Sequence, residues 1–172
     1  MNMDNNDILI RLRYALDIKN TEMVEIFKLG GIDLTKEEVL KVLTKSKDTD
    51  DYDDDYDIGE DEDHIPCDDD MYESFLNGFI TFKRGKQEPK PGQPERPELS
   101  YEHANNLLLK KVKIALTLTS EDIIEILEDA GVIITKGELS ALLRREGHKN
   151  YKICGDRYAR NFLKGLAIRY RD

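Results

Sequence analysis

The side chains best suited to bind a metal ion are two cysteines and two histidines, which lie in pairs. His64 precedes Cys67 in the first half of the chain, and His148 precedes Cys154 in the second half. Thiolate and imidazole groups are preferred ligands of zinc, so a four-ligand site would form if the two halves met face to face. Because the spacing within each pair matches no compact zinc motif, we instead expect buried structural thiols, with no metal and no cofactor.

A run of carboxylates offers a second kind of metal chemistry. Residues 48–70 contain fourteen Asp or Glu residues and no Lys or Arg. Residues 51–62 overlay the calcium-binding loop of an EF-hand, with matching residues at Asp51, Asp53, Asp55, Ile58 and Glu62. The sixth position of such a loop needs a glycine for its sharp turn, and here it is Tyr56. We therefore predict a solvated acidic insertion at 48–63 and keep calcium binding as a further alternative.

Basic residues in the second half of the chain could neutralise the phosphates of a nucleic acid. The cations of this set are Lys111, Lys113, Arg144, Arg145, Lys149 and Lys152, and Tyr151 offers a ring on which a base could stack. In the first half of the chain, the acidic insertion occupies the position that residues 144–152, the basic segment, occupy in the second half. It could therefore cover the basic surface as an internal mimic of nucleic acid, with an effect that weakens as salt is added.

The sequence contains no recognisable catalytic motif. A nucleophile with a partner base, a glycine loop that cradles phosphate and a catalytic metal motif are all missing from it. The three histidines share no common spacing. We therefore predict that the protein is not an enzyme.

The residues named so far lie within two copies of one duplicated sequence. The segment 5–45 repeats as 105–145 at a shift of one hundred residues without a gap. Cys67 then pairs with Cys154 at a shift of eighty-seven, so the first copy carries thirteen extra residues. Most recurring positions are apolar or cap helices, so the duplication predicts architecture more than chemistry.

Each copy is predicted to contain four helices, because apolar residues recur every three or four positions in four segments. Asn20 and Ser120 are the expected N-caps of the second helix, which Gly31 and Gly131 end. These residues bound the second helix and separate it from the third in both copies.

The third helix of each copy is predicted to begin at a Thr-x-x-Glu capping box, at 35–38 and at 135–138. Together with the second helix and its glycine turn, it gives each copy a helix-turn-helix outline. The fourth helix follows the cysteine and carries Gly78 or Gly165 inside it. A glycine within a helix is costly, so its recurrence indicates close helix packing at that point.

Four prolines between residues 85 and 100 indicate a linker between the copies. The predicted domains are a first helical repeat at 1–84, a Pro-rich linker at 85–100 and a second helical repeat at 101–172. Each repeat is near the lower size limit for an independent core, so we expect the two to pack together. The predicted fold class is all-α, with two tandem four-helix repeats that contain helix-turn-helix-like units.

The formal net charge of −10 comes from the acidic run, because the rest of the chain has a balance of +4. The first seven residues are polar and acidic, and no apolar run approaches the ~20 residues that span a bilayer. Two cysteines do not make a disulfide framework and suit a reducing compartment. We predict a cytoplasmic protein that does not bind membranes.

Several motifs together resemble the YehS-like family of bacterial proteins. They are the Asn-Asn pair at 5–6, the first helix ending Tyr14-Ala15-Leu16, the Gly-Ile-Asp-Leu-Thr-Lys turn at 31–36 and, in the second copy, the segments 139–145, 147–151, 154–156 and 161–166. The resemblance covers nearly the whole chain and departs at the acidic insertion. It implies a tandem helical fold and a bacterial cytoplasmic setting, and it supplies no catalytic residues.

These observations favour a binding module that recognises a protein partner of unknown identity. The alternative function is binding of DNA or RNA through the basic face of the second repeat. Apolar protein recognition would be indifferent to salt, whereas phosphate binding would weaken steeply as salt is added. The oligomeric state and the biological process do not follow from these residues.

Overall fold

The computed structural model describes residues 3–44, 64–86, 91–92 and 98–171. Within these residues the chain is all-helical, as predicted, with eight α-helices and no strand. The first repeat contains α1 (Asn5–Leu16), α2 (Asn20–Leu29), α3 (Lys36–Val42) and α4 (Asp69–Arg84). The second contains α5 (Ala104–Leu116), α6 (Ser120–Asp129), α7 (Lys136–Leu143) and α8 (Asp156–Tyr170). None of these helices is long and apolar enough to cross a membrane.

The acidic insertion at 48–63 lies outside the described residues, and so does the EF-hand-like segment at 51–62. Most of the Pro-rich linker is also outside them. Calcium binding and competition by the acidic insertion therefore stay predictions.

The N-cap of the second helix of each repeat lies one residue earlier in the chain than the sequence predicted. Thr119 caps α6, because its side chain accepts the N–H of Asp122 at 3.0 Å. The N-cap position of α2 is Lys19, and the Asn20 side chain instead accepts hydrogen bonds from an arginine of α1. The predicted caps at Asn20 and Ser120 are therefore wrong by one residue, because the carboxylate three positions after Lys19 or Thr119 selects the earlier start.

The turns that follow these helices agree with the prediction. Gly31 and Gly131 have φ values of 96° and 95°, in the left-handed region that glycine adopts without strain. The N–H of Gly31 donates to the carbonyl of Lys28 at 2.9 Å, as in a Schellman ending. Capping boxes at 35–38 and 135–138 then begin α3 and α7, so both predicted boxes are confirmed.

The fourth helix of each repeat packs closely against the second. A Cβ atom at Gly78 would overlap the carbonyl oxygen of Ile26 in α2, and one at Gly165 would overlap that of Ile126 in α6. Only glycine permits this approach of one helix backbone to another. The close packing predicted from the two glycines is therefore confirmed.

The main contacts between the repeats, among the described helices, are those of α4 with α5 and of α1 with α8. We call these contacts the α4/α5 seam and the α1/α8 seam. Since α1 corresponds to α5 and α4 to α8, exchanging the repeats turns one seam into the other. The repeats are therefore arranged like the subunits of a two-fold dimer.

Hydrogen bonds at the helix ends show the direction of each pair. The N–H of Met3 donates to the carboxylate of Asp156 at the start of α8, at 3.2 Å. Arg171, just after α8, donates to the carbonyl of Tyr14 near the end of α1, at 2.8 Å. The helices α1 and α8 are therefore parallel. The starts of α4 and α5 are also adjacent, because the Tyr72 hydroxyl donates to the first carbonyl of α5 at 2.8 Å.

A buried carboxylate fixes the end of the linker. Glu73 of α4 is almost fully buried. It accepts the N–H groups of Ser100 and Tyr101 and the Ser100 hydroxyl, all at 2.9 to 3.0 Å. The second repeat is therefore anchored to the first immediately before α5 begins.

Candidate functional site

The second asparagine of the pair at 5–6, and of the equivalent pair at 105–106, is a buried hydrogen-bond centre. Asn6 donates to the carbonyl oxygens of Val42 and Ile65, at 2.7 and 2.9 Å, and accepts the N–H of Cys67 at 2.9 Å. Asn106 makes the same three contacts at the equivalent places in the second repeat, at 2.9 to 3.0 Å. The recurring asparagines therefore join the first helix, the end of the third helix and the cysteine segment.

Both cysteines are buried and free. Burial raises the pKa of Cys67 and of Cys154 to about 12, so both thiols are protonated and poorly reactive at neutral pH. His64 and His148 each use Nδ1 in a contact with a nearby backbone group, at 2.9 and 3.0 Å. In the described parts of the chain, no group of three or more His, Cys, Asp or Glu residues could hold a metal ion. Both thiols are buried, as predicted.

A cavity of about 460 Å³ opens where the N-terminal ends of α1, α4, α5 and α8 meet. Its carboxylates are already engaged by the fold. Asn5 donates to Asp69 at 3.0 Å, and Asn105 donates to Asp156 at 2.8 Å. Glu102 forms an ion pair with a lysine of α5. These contacts explain the polar lining structurally, and we assign no ligand to the cavity.

Four of the predicted phosphate-binding residues lie in the loop between α7 and α8, which we call the basic loop (residues 144–152). Arg145, Lys149 and Lys152 are exposed, and Arg144 is half-buried. The N–H of Lys152 donates to the carbonyl of Ala141 at 3.0 Å, and two further backbone hydrogen bonds lie within the loop. The loop is therefore held in a defined shape that presents cations to solvent.

Tyr151 supports this loop more than it offers a free ring. It is half-buried, its hydroxyl has no hydrogen-bond partner among the described residues, and burial raises its pKa. The Lys110 ammonium lies 5.7 Å from the ring centroid. Lys113 lies one helical turn beyond Lys110 on the same side of α5 and is half-buried.

Lys111 lies elsewhere, on the side of α5 that faces α4. Its position is about 200° around the helix from Lys113. Burial lowers the pKa of Lys111, and the carboxylates of Glu73 and Glu102 act in the opposite direction. The basic loop therefore contains five of the seven predicted residues, Lys113 lies on the same side of α5 as Lys110, and Lys111 belongs to the α4/α5 seam.

A second set of cations lies along α8, of which the sequence indicated the two at the end of the helix and missed the three before them. Basic residues of α8 and its C-cap are Arg157, Arg160, Lys164, Arg169 and Arg171. The last two pair with acidic residues of α6 and of the end of α1. The first three make no ion pair with any residue that the structure describes. Their spacing of three and four residues was the signal that could have revealed them.

The fold and these sites define an all-helical protein of two related, tandem four-helix repeats with basic surfaces on the second repeat. A family model described as "Protein of unknown function (DUF1456)" matches residues 5–85 and 105–172. The chain belongs to this family. It is also 38% identical over 169 residues to the "Uncharacterized protein YehS" of Escherichia coli strain K12. The alignment covers 97% of this chain and 96% of that protein. The resemblance to the YehS-like family is therefore confirmed, and no solved structure matches the chain.

Proposed function

We propose that this protein is a non-catalytic module that binds nucleic acid through the basic loop of its second repeat. The observation that carries the proposal is the exposure of Arg145, Lys149 and Lys152 on a loop held by backbone hydrogen bonds. Cations on a preformed surface neutralise phosphates and release counterions without a cost for ordering the loop.

The distribution of exposed apolar side chains gives less support to recognition of a protein partner. The large exposed ones are Tyr14, Leu40, Tyr101, Ile114, Ile133, Ile153, Ile168 and Tyr170. They are spread over α1, α3, α5, α8 and three connecting segments. Apolar protein interfaces need a contiguous patch, so charge is the better-supported basis for recognition here.

The helix-turn-helix outline is not the surface that we assign to nucleic acid. The first turn of α3 carries Glu37 and Glu38, and that of α7 carries Glu138. Hydrogen bonds from Thr135 lower the pKa of Glu138, so this carboxylate is ionised at neutral pH. Carboxylates at the start of both presented helices would repel phosphates.

The test is binding of short, mixed-sequence RNA and DNA by fluorescence anisotropy at several salt concentrations. Arg144→Ala with Arg145→Ala should weaken binding and reduce the slope of log affinity against log salt by about 1.4 for a single strand. Lys28→Ala with Lys36→Ala is the matched control, because both are exposed cations of the first repeat. Absence of salt-sensitive binding by the unaltered protein would refute the proposal and direct attention to a protein partner.

A further inference from the structure

We infer that the α1/α8 seam is a track for single-stranded nucleic acid that leads from the second repeat onto the first. The inference rests on the proposed function and adds a second contact surface to it. Its cations are Arg11, Arg157, Arg160 and Lys164, which we call the seam cations.

The two seams differ in charge at equivalent positions. In the α4/α5 seam, the buried Glu73 is near Lys111 and favours its charged form. The corresponding positions of the α1/α8 seam are Arg160 and Arg11, so two cations replace an acid and a base. Like charges across a helix pair do not stabilise packing. The α1/α8 seam therefore carries an excess of positive charge that the α4/α5 seam lacks.

Further cations extend the row along one side of α8. Arg157, Arg160 and Lys164 lie within about 60° of one another around the helix, and the row from 157 to 164 covers about 10 Å. Arg157 and Lys164 are exposed and Arg160 is half-buried. Because none of the three has an ion pair among the described residues, each is available to a phosphate.

An exposed aromatic ring lies at the end of this row. Tyr14 is 56% exposed. The Arg171 guanidinium lies 4.0 Å from the Tyr14 ring centroid, two helical turns beyond Lys164 on the same side of α8. Cations that follow the backbone, beside rings that stack on bases, are typical of single-strand binding surfaces. A duplex would leave the Tyr14 ring without an unpaired base to contact.

The experiment uses two double variants. The seam variant carries both Arg160→Gln and Lys164→Gln. The control carries both Lys28→Gln and Lys36→Gln, and it changes the net charge by the same amount. The probe is a short labelled single-stranded oligonucleotide titrated at several salt concentrations. We expect the slope of log affinity against log salt to fall by about 1.4 in the seam variant, through loss of two phosphate contacts, and to stay unchanged in the control. Tyr14→Ala should weaken binding by about tenfold, through loss of stacking.

Arg160 is half-buried, so a second variant protects the test from a folding defect. Arg157→Gln with Lys164→Gln changes only exposed side chains and should reduce the slope by the same amount. If both seam variants bind like the control while the Arg144 and Arg145 variant is weakened, the seam is not part of the site and the proposed function stands. If the unaltered protein binds no oligonucleotide at low salt, the proposed function fails and the inference with it. Equally tight binding of a duplex would overturn the single-strand assignment.

Discussion

At the scale of single residues, Asn6 and Asn106 have the most concentrated structural role, because each satisfies three backbone groups from two separate segments. Asn106→Ala should lower the free energy of unfolding by about 3 kcal/mol, since buried backbone groups would lose their partners. Urea denaturation measures the change. Asn150→Ala, at an exposed position of the basic loop, should change stability by less than about 0.5 kcal/mol. Similar values for the two variants would contradict the role given to Asn106.

The buried thiols make the free energy of unfolding depend on pH in the alkaline range. The pKa of each is raised from 9.0 to about 12 in the folded protein. The native state therefore holds these protons more strongly than the unfolded state. The resulting stability is fully present below pH 9 and is lost as pH rises towards 12. Each thiol should contribute a loss of about 1.4 kcal/mol per pH unit in this range.

Chemical denaturation of the unaltered protein and of the Cys67→Ala, Cys154→Ala double variant, at pH values from 8 to 11, would measure this dependence. The double variant removes the two thiols and leaves the other alkaline groups in place. Its stability should therefore fall less steeply with pH. Identical slopes would show that the thiols are not the responsible groups.

Residue identity predicted some of these roles and missed others. Both cysteines were expected to be buried packing residues, because they recur without a metal motif. The role of Asn106 was not predictable, since its partners Leu142, Lys152 and Cys154 meet only after the chain has folded. Lys111 was grouped with the basic loop for the same reason: a list of charges does not show which side of α5 faces α4.

At the scale of helices, the contact between the second and fourth helix of each repeat depends on one glycine. Gly165→Ala should lower stability by at least about 2 kcal/mol, because the added methyl group would overlap the Ile126 carbonyl. Gly137→Ala is the matched control, since it lies in α7 with no atom near the position of its Cβ. It should raise stability by about 1 kcal/mol, through helix propensity alone. Thermal unfolding of both variants tests the opposite signs, and destabilisation by both would contradict the packing argument.

Helix number and type were predictable because apolar spacing, glycine turns and capping boxes agreed with one another in both copies. The starts of α2 and α6 were less predictable. Asn20 and Ser120 are good capping residues. The backbone N–H groups of the residues just before them, Lys19 and Thr119, nevertheless donate to the carboxylates of Glu22 and Asp122. The competition between two adjacent caps is decided by such a reciprocal contact, which residue preference alone does not include.

At the scale of the whole molecule, Glu73 connects the repeats by holding the segment before α5. Glu73→Ala should speed hydrogen exchange at the backbone amides of Ser100 and Tyr101, which lose their acceptor, and should lower stability by about 2 kcal/mol or more. Hydrogen exchange measured by NMR gives the residue-level result. Glu37→Ala, at an exposed position of α3, should leave both amides unchanged. Unchanged protection in the Glu73 variant would show that other contacts anchor the linker.

The relative placement of the repeats could not be derived from the sequence. A Pro-rich segment of 85–100 can reach about 50 Å when extended, so its length permits many arrangements. The arrangement depends instead on contacts such as those of Glu73 and Tyr72, which have no equivalent in the second copy: Arg160 and Ala159 occupy those positions. Comparing the two copies reveals the residues that build each repeat. The contacts between the repeats depend partly on residues that differ between the copies.

The two-fold arrangement of the repeats has an evolutionary consequence. In a symmetric pair of identical chains, each substitution appears twice, so both contacts must change together. Joining the copies in one polypeptide removes that constraint. One junction can then specialise in cohesion, as Glu73 does, while its counterpart accumulates charges such as Arg160 that would be unfavourable if duplicated. Covalent fusion thus gives a small scaffold freedom to divide labour between two surfaces that began as the same surface.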